Sequence, residues 1–208
     1  MKIISHRGYW LAEEEKNSIN AFNRSFSLNF GTETDIRDHQ RSLVISHDIA
    51  DESSLNFNEF LEIYCATNMN LPLALNIKAD GLHEELSSSL NSFSISNYFV
   101  FDMSIPDTLK YIDLGINFFI RQSEYESELP FYENAAGIWL DSFNSHWYSE
   151  DVVKSHINKG KKVSIVSSEL HGRNYLSHWQ VLKTWDVIKN DNVFLCTDFP
   201  ELATKFFK

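Results

Sequence analysis

The residue types able to do chemistry crowd into the first part of the chain, each in or at the end of a short strand-like run. His6-Arg7 closes one such run, Glu33 and Asp35 stand two apart in another, His47-Asp48 ends a third, and Asn76 and Lys78 stand two apart in a fourth. In an extended strand residues i and i+2 point to one face, so Glu33 pairs with Asp35, and Asn76 with Lys78. Two hard carboxylates on one face suit Mg²⁺ or Ca²⁺. Arg7 and Lys78 would neutralise a phosphate monoanion, the guanidinium through two parallel hydrogen bonds. Two imidazoles could divide proton transfer, one taking a proton from a nucleophile and one giving a proton to a leaving alkoxide. Taken singly these signals are slight, since a Glu-x-Asp pair is usually a solvated strand face and a strand-end lysine often only snorkels. Their conjunction points to a divalent cation and a phosphate ester handled together.

Such groups need a scaffold that brings neighbouring strand ends to one place. Short apolar runs alternate with amphipathic stretches of helical length along the whole chain. Strands are predicted at 2–5, 32–37, 72–78, 98–103, 116–121, 137–142, 162–167 and 192–197, with a short extended segment at 43–46. Helices are predicted at 18–30, at 58–65, near Leu82, and at 106–114, 149–159, 175–189 and 200–207, with a further, weakly patterned one between 122 and 136. In the first of them Ile19, Phe22, Phe26 and Phe30 have the spacing of one buried face. Alternating β and α segments imply a parallel sheet with helices outside. Eight repeats favour a closed (β/α)8 TIM barrel over an open doubly wound sheet. In a barrel the reacting groups sit at the C-terminal strand ends, where the residues above all lie.

A chain of 208 residues with 43% hydrophobic and 23% charged residues is expected to form one soluble domain spanning residues 1–208. Its formal charge of −11 at pH 7 repels nucleic acid and anionic membrane surfaces, while leaving room for a small anionic substrate at a local basic spot. Cys65 and Cys196 lack a C-x-x-C spacing; a single disulfide between them is one reading, and two buried free thiols in a reducing compartment is the one expected. The N-terminal MKIISHRG enters a strand directly, and no apolar run approaches a membrane span, so a cytoplasmic location is expected.

At the level of motifs the chain resembles the glycerophosphodiester phosphodiesterase family, within the PLC-like phosphodiesterase superfamily. Its members open with a strand ending His-Arg-Gly, here His6-Arg7-Gly8, and continue to Glu-Asn-Thr at a helix start, here Lys16-Asn17-Ser18. A Gly then precedes a strand with Glu-x-Asp (Gly31, Glu33, Asp35), followed by Val-x-x-His-Asp (Val44 to Asp48) and Glu-x-Lys, here Asn76-Ile77-Lys78. The last strand carries Thr-Asp-x-Pro, here Thr197 to Pro200. The resemblance implies a (β/α)8 fold and metal-dependent hydrolysis of a glycerophosphodiester or similar small diester. It implies His6 and His47 as the acid–base pair, Arg7 and Lys78 on the phosphate, and Glu33, Asp35 and Asn76 on the metal.

Two departures matter. Asn76 stands where the family has a glutamate ligand, so the site loses one negative charge, although an amide oxygen still coordinates a hard cation. Lys16 replaces the glutamate before Asn17 and is read as a loop difference. Two alternatives therefore stand beside hydrolysis: a weakened barrel that binds a phosphorylated small molecule without turnover, and a lyase-type enzyme that forms a cyclic phosphate. Elsewhere Trp139 to Asp141 end the sixth predicted strand, Ser167 to His171 follow the seventh, and either could touch substrate, while Arg121 could add charge. Trp139 reads more simply as packing and Asp141 as a loop cap. Asp102 and Asp198 read as turn residues. His39, His83, His146, His156 and His178 show no functional pattern and read as structural.

Overall fold

The computed structural model describes residues 1–67 and 70–208. They group into two compact units, Ser5–Phe118 and Met1–Ile4 with Phe119–Lys208.

Strand β1 (Lys2–His6) ends inside the Ser5–Phe118 unit with Ser5 and His6. Helix α1 (Ile19–Ser27) starts where the Ser18 side chain accepts from the Ala21 N–H at 3.3 Å, satisfying one of the amides that a helix start leaves unpaired. Phe22 and Phe26 are buried as the periodicity predicts, and Phe30 is buried just beyond the helix. Ile19 departs from the predicted face: at the first turn it is 48% exposed.

Strand β2 (Gly31–His39) carries a fully buried run from Gly31 to Ile36. It pairs antiparallel with β3 (Ser42–Ile45), which pairs antiparallel with β4 (Leu55–Asn56). Helix α2 (Phe57–Cys65) buries Phe57, Phe60, Leu61 and Tyr64. On its other edge β2 pairs parallel with β5 (Leu73–Ile77), and β5 pairs parallel with β6 (Tyr98–Phe101). All five residues of β5 are buried, as expected of a parallel strand covered on both faces. Helix α3 (His83–Ser92) follows β5, and α4 (Ile105–Asp113) follows β6 behind a Ser104 cap.

The other unit is a run of parallel neighbours: β7 (Phe119–Gln122), β8 (Gly137–Leu140), β9 (Lys162–Val166) and β10 (Val193–Thr197). Helices α5 (Glu150–Asn158), α6 (Tyr175–Lys183) and α7 (Pro200–Phe207) follow β8, β9 and β10. The helix expected between 122 and 136 is absent; turns fill the segment. There Arg121 Nε pairs with Glu126 at 2.7 Å, Ser123 Oγ also donates to Glu126, and Pro130 interrupts the stretch. The helix expected over 175–189 stops at Lys183, and a separate 3-10 turn covers Asp186–Lys189.

All eight predicted strands are present, with β3 and β4 as a short antiparallel excursion after β2. Both cysteines are free, but Cys65 is only partly covered rather than buried. Among the described residues no helix is long and apolar enough to cross a membrane.

Candidate active site

Beneath the site, three buried hydroxyls tie β1, α1 and β2 together. Ser25 Oγ lies 2.7 Å from both Ser5 Oγ and Thr32 Oγ1, so each finds a partner without water. That packing holds the end of β1 and the start of β2 against α1.

At the end of β1 the chain turns sharply, with Arg7 (φ 57°) and Gly8 (φ 78°) both left-handed. Arginine adopts this region only when its surroundings hold it there. Arg7 is held at three points. Its N–H donates to Glu33 Oε2 at 3.1 Å, its carbonyl accepts from the Asn17 N–H at 2.9 Å, and its Nε stands 3.1 Å from Asp35 Oδ2.

Glu33 and Asp35 are each 1% exposed, on one face of β2. Lys78, just past β5, places Nζ 3.2 Å from Asp35 Oδ1, and Asn17 Nδ2 donates to Asp35 Oδ2 at 2.8 Å. His6 Nε2 stands 3.9 Å from Glu33 Oε2. The parallel register sets Asn76 beside Asp35.

The two carboxylates differ in electrostatics. Burial, reinforced by the Asp35 charge, pushes the Glu33 carboxyl up to about 7, and His6, Arg7 and Lys78 offset only part of this. Burial also opposes ionisation of Asp35, but Lys78 and Arg7 with the Asn17 hydrogen bond outweigh it, so its carboxyl is held below its ordinary value. Glu33 thus has less counter-charge than its burial calls for, while Asp35 has enough.

His6, Arg7, Glu33, Asp35 and Lys78 therefore stand together, with Asn76 alongside. His47 does not join this cluster: it lies beyond β3 with its side chain 43% exposed, Nδ1 at 2.9 Å from Asp48 Oδ1, and its carbonyl accepting from Arg37. An open cleft of about 1080 Å³ lies against both Arg7 and His47, with Ile19 and Glu59 among its other walls. Lys16 lies over the Trp10 ring at 4.5 Å and 3.8 Å from Glu13, both within the loop before α1.

A divalent cation fits this donor set. Asn76 is 8% exposed, and its Oδ1 is buried without a hydrogen-bond partner, while Glu33 is short of positive charge. Each is a hard oxygen donor that a cation would satisfy. Asp35 would be shared with Arg7 and Lys78. Among the described residues no group of three or more His, Cys, Asp or Glu is placed to hold a metal, so any site here depends on the amide oxygen.

Asn17 carries more of this architecture than its place in a motif suggested. It donates to Asp35 and accepts from Thr34 Oγ1 at 2.8 Å, locking β2 to the loop after Gly8. The signal was its position directly before the Ser18 cap, where a short amide is the residue type able to bond sideways.

No family model and no curated protein matches the chain. Solved structures do. A Galdieria sulphuraria protein assigned as a glycerophosphodiester phosphodiesterase superposes with TM-score 0.78 at 17% identity, over 99% of this chain and 97% of that one. An Oleispira antarctica phosphodiesterase in complex with the product sn-glycerol-3-phosphate gives 0.70 at 14%, over 99% and 96%. A Ca²⁺-dependent phosphatidylinositol-specific phospholipase C from Streptomyces antibioticus gives 0.57 at 8%, over 100% and 96%. Similarity at this level of identity shows the fold alone: over nearly its whole length the chain has the α/β fold of these structures.

Proposed function

We propose that the chain is a phosphoric diester hydrolase that cleaves a small glycerophosphodiester-like molecule by acid–base catalysis with His6 and His47, aided by Mg²⁺ or Ca²⁺. The observation that carries this reading is the meeting of His6, Arg7, Glu33, Asp35 and Lys78 within 3–4 Å contacts, from the ends of β1 and β5 and the body of β2. A bare structural ion pair has no use for an imidazole, an unbalanced buried glutamate and an unpartnered amide oxygen beside it. The fold of phosphodiesterases, one of which holds sn-glycerol-3-phosphate, supports the substrate class, and the Ca²⁺-dependent neighbour supports a divalent cation.

In this reading Arg7 and Lys78 exchange Asp35 for the phosphate oxygens of the substrate, the guanidinium fixing its orientation. His6, beside Glu33, and His47, steadied by Asp48, serve the two proton transfers at the nucleophile and the leaving alkoxide. Glu33, Asp35 and the Asn76 amide would hold the cation, which supplies charge stabilisation for the phosphoryl oxygens. The cleft between Arg7 and His47 takes the alcohol group. The matched folds run through nearly the whole chain, so its working as one domain belongs to the same proposal, as does a cytoplasmic small-molecule role.

The test is a panel of glycerophosphodiesters plus an activated aryl diester, with Mg²⁺, Ca²⁺ or EDTA, beside His6→Ala and His47→Ala. Turnover that disappears in EDTA and falls by about 100-fold or more in each variant is expected, the usual scale of a lost acid or base. The neutral Asn76 favours one competing reading, a barrel that binds without turnover. Activity appearing only in Asn76→Glu would establish that reading, and silence in both proteins would defeat hydrolysis of these substrates.

A further inference from the structure

A second cavity lies within the Ser5–Phe118 unit and takes no residue of the carboxylate cluster, so its chemistry is independent of the diester-cleavage reading. It is a polar hollow of about 220 Å³ between the β2–β3 hairpin, the start of α2 and one face of α3. The hairpin contributes Arg41 and Ser42, with the buried Leu43 beside them. Helix α3 contributes Glu85, Ser88 and Ser89, whose i, i+3, i+4 spacing puts them on one face. Asn58 lines it at the first turn of α2, and Asn56, the cap of that helix, borders both this hollow and the open cleft.

Two features set the hollow apart from ordinary surface. The side chains of Arg41, Ser42, Asn58, Glu85, Ser88 and Ser89 all lack a hydrogen-bond or ion-pair partner among the described residues. An arginine and a glutamate serving only as a surface pair would close on each other, as Arg24 and Glu15 do at 2.9 Å. Arg41 and Glu85 line the same hollow unpaired. The second feature is the backbone under Arg41. Gln40 (φ 47°) and Arg41 (φ 67°) form the two-residue loop between the paired His39 and Ser42, and both are left-handed. A hairpin turn of this kind is relaxed with Asn-Gly, and an arginine held there is strained. Glycine would suit the turn better, so the guanidinium serves something that the turn itself does not need.

We propose that this hollow binds a free α-amino acid, with its carboxylate on Arg41 and its ammonium on Glu85. Among the described residues the lining carries one cation and one anion and is otherwise neutral, so it matches a ligand that holds both charges. A bare anion such as phosphate meets the Glu85 carboxylate, and a simple amine meets the Arg41 guanidinium, so each is opposed by one wall. The guanidinium grips a carboxylate through two parallel hydrogen bonds. The Ser42, Ser88 and Ser89 hydroxyls and the Asn58 amide both donate and accept, so they complete either end of the ligand. The volume falls below the roughly 300–1,000 Å³ of sites for drug-sized ligands, which limits the occupant to a smaller molecule. Leu43, 8% exposed, gives the carbon atoms of that molecule an apolar contact.

The experiment follows the Arg41 Nε–H and the Asn58, Ser88 and Ser89 backbone amides in ¹H–¹⁵N spectra of the whole chain, titrated separately with free glycine, acetate, methylammonium and inorganic phosphate. Glycine is expected to move all four signals saturably with a Kd of about 1 mM, the scale of a few hydrogen bonds at a half-open site. Acetate, methylammonium and phosphate should each bind about tenfold more weakly or worse, one charged contact in free energy. Arg41→Gly relaxes the turn, so it should keep or raise the urea midpoint while weakening glycine by about tenfold or more, read on the three amides. Glu85→Gln should weaken glycine similarly and leave acetate unchanged. Acetate or phosphate binding as tightly as glycine, no saturable shift with glycine, or a glycine response that survives either substitution overturns the proposal. Turnover on diesters plays no part in the readout.

Discussion

Removing Lys78 would leave Asp35, 1% exposed, with only Arg7 and Asn17 for company. A buried carboxylate that loses one cation is penalised by about 3–5 kcal/mol when it is left alone, and less when another partner stays. Lys78→Met is therefore expected to lower stability by about 2 kcal/mol in urea unfolding, alongside its loss of phosphate binding. An unchanged midpoint would mean that Lys78 does not carry the Asp35 charge. Asn76 makes the opposite case. Its Oδ1 is an unsatisfied acceptor beside Asp35, so Asn76→Asp adds a charge that only a bound cation balances. Calorimetry in apo protein should show Mg²⁺ or Ca²⁺ binding about tenfold tighter in the variant, together with a loss of stability in EDTA. Tighter binding without the EDTA penalty would place position 76 away from the carboxylates.

At the scale of elements, the site depends on how closely β1, α1, β2 and β5 approach one another. Gly31 opens β2 where a Cβ would fall 2.6 Å from Pro72 Cγ and 2.8 Å from its carbonyl. Gly8, at φ 78°, would set a Cβ 2.8 Å from that of Ala21. The two glycines are spacers for different elements, the first for strand against strand and the second for the strand end against α1. Gly31→Ala is expected to cost about 1–3 kcal/mol through forced backbone shifts. Gly8→Ala should cost a similar amount and displace Arg7 as well, raising KM more than it lowers stability would suggest. A Gly8→Ala protein with normal KM and kcat would show that the turn after β1 does not position Arg7.

Across the whole molecule, acid sensitivity should come from buried histidines that are not part of the carboxylate cluster. His178 lies between Ser168 Oγ (2.9 Å) and Tyr148 Oη (3.0 Å), and burial, with His146 and Arg173 nearby, pushes its pKa down to about 3. His156, between Tyr132 and Gln122, is lowered to about 4 by burial and then by Lys159. The unfolded chain takes up protons near the ordinary value of 6.5 while the folded chain refuses them, so stability present at pH 7 is lost as pH falls through this window. Between pH 7 and 4.5, His178 alone should account for about 2–3 kcal/mol of the loss. His178→Gln is expected to be less stable at pH 7 but flatter in its pH dependence. Parallel pH profiles for the two proteins would assign the acid loss elsewhere.

The sequence by itself determined the order of the eight strands and the residues gathered at their first ends. Period-two and helical spacings are local properties: His6 and Lys78 announce strand ends by following apolar runs, and Glu33 and Asp35 share a strand face by their spacing. It missed where pattern was thin or contact was distant. The acidic stretch after β7 carries no helical face and folds as turns pinned by Glu126. Ile19 fits a buried periodicity, yet the first turn of α1 leaves it in the open cleft. Only the tertiary structure decided that Arg7 and Lys78 share Asp35 while Glu33 goes short of charge, and that His47 stands apart, held by Asp48. It also decided that Asp141, which reads as a loop cap, grips His171 thirty residues away. Spacing along a chain fixes which face a side chain takes, but burial and the choice of ion partner depend on which strand ends meet in space.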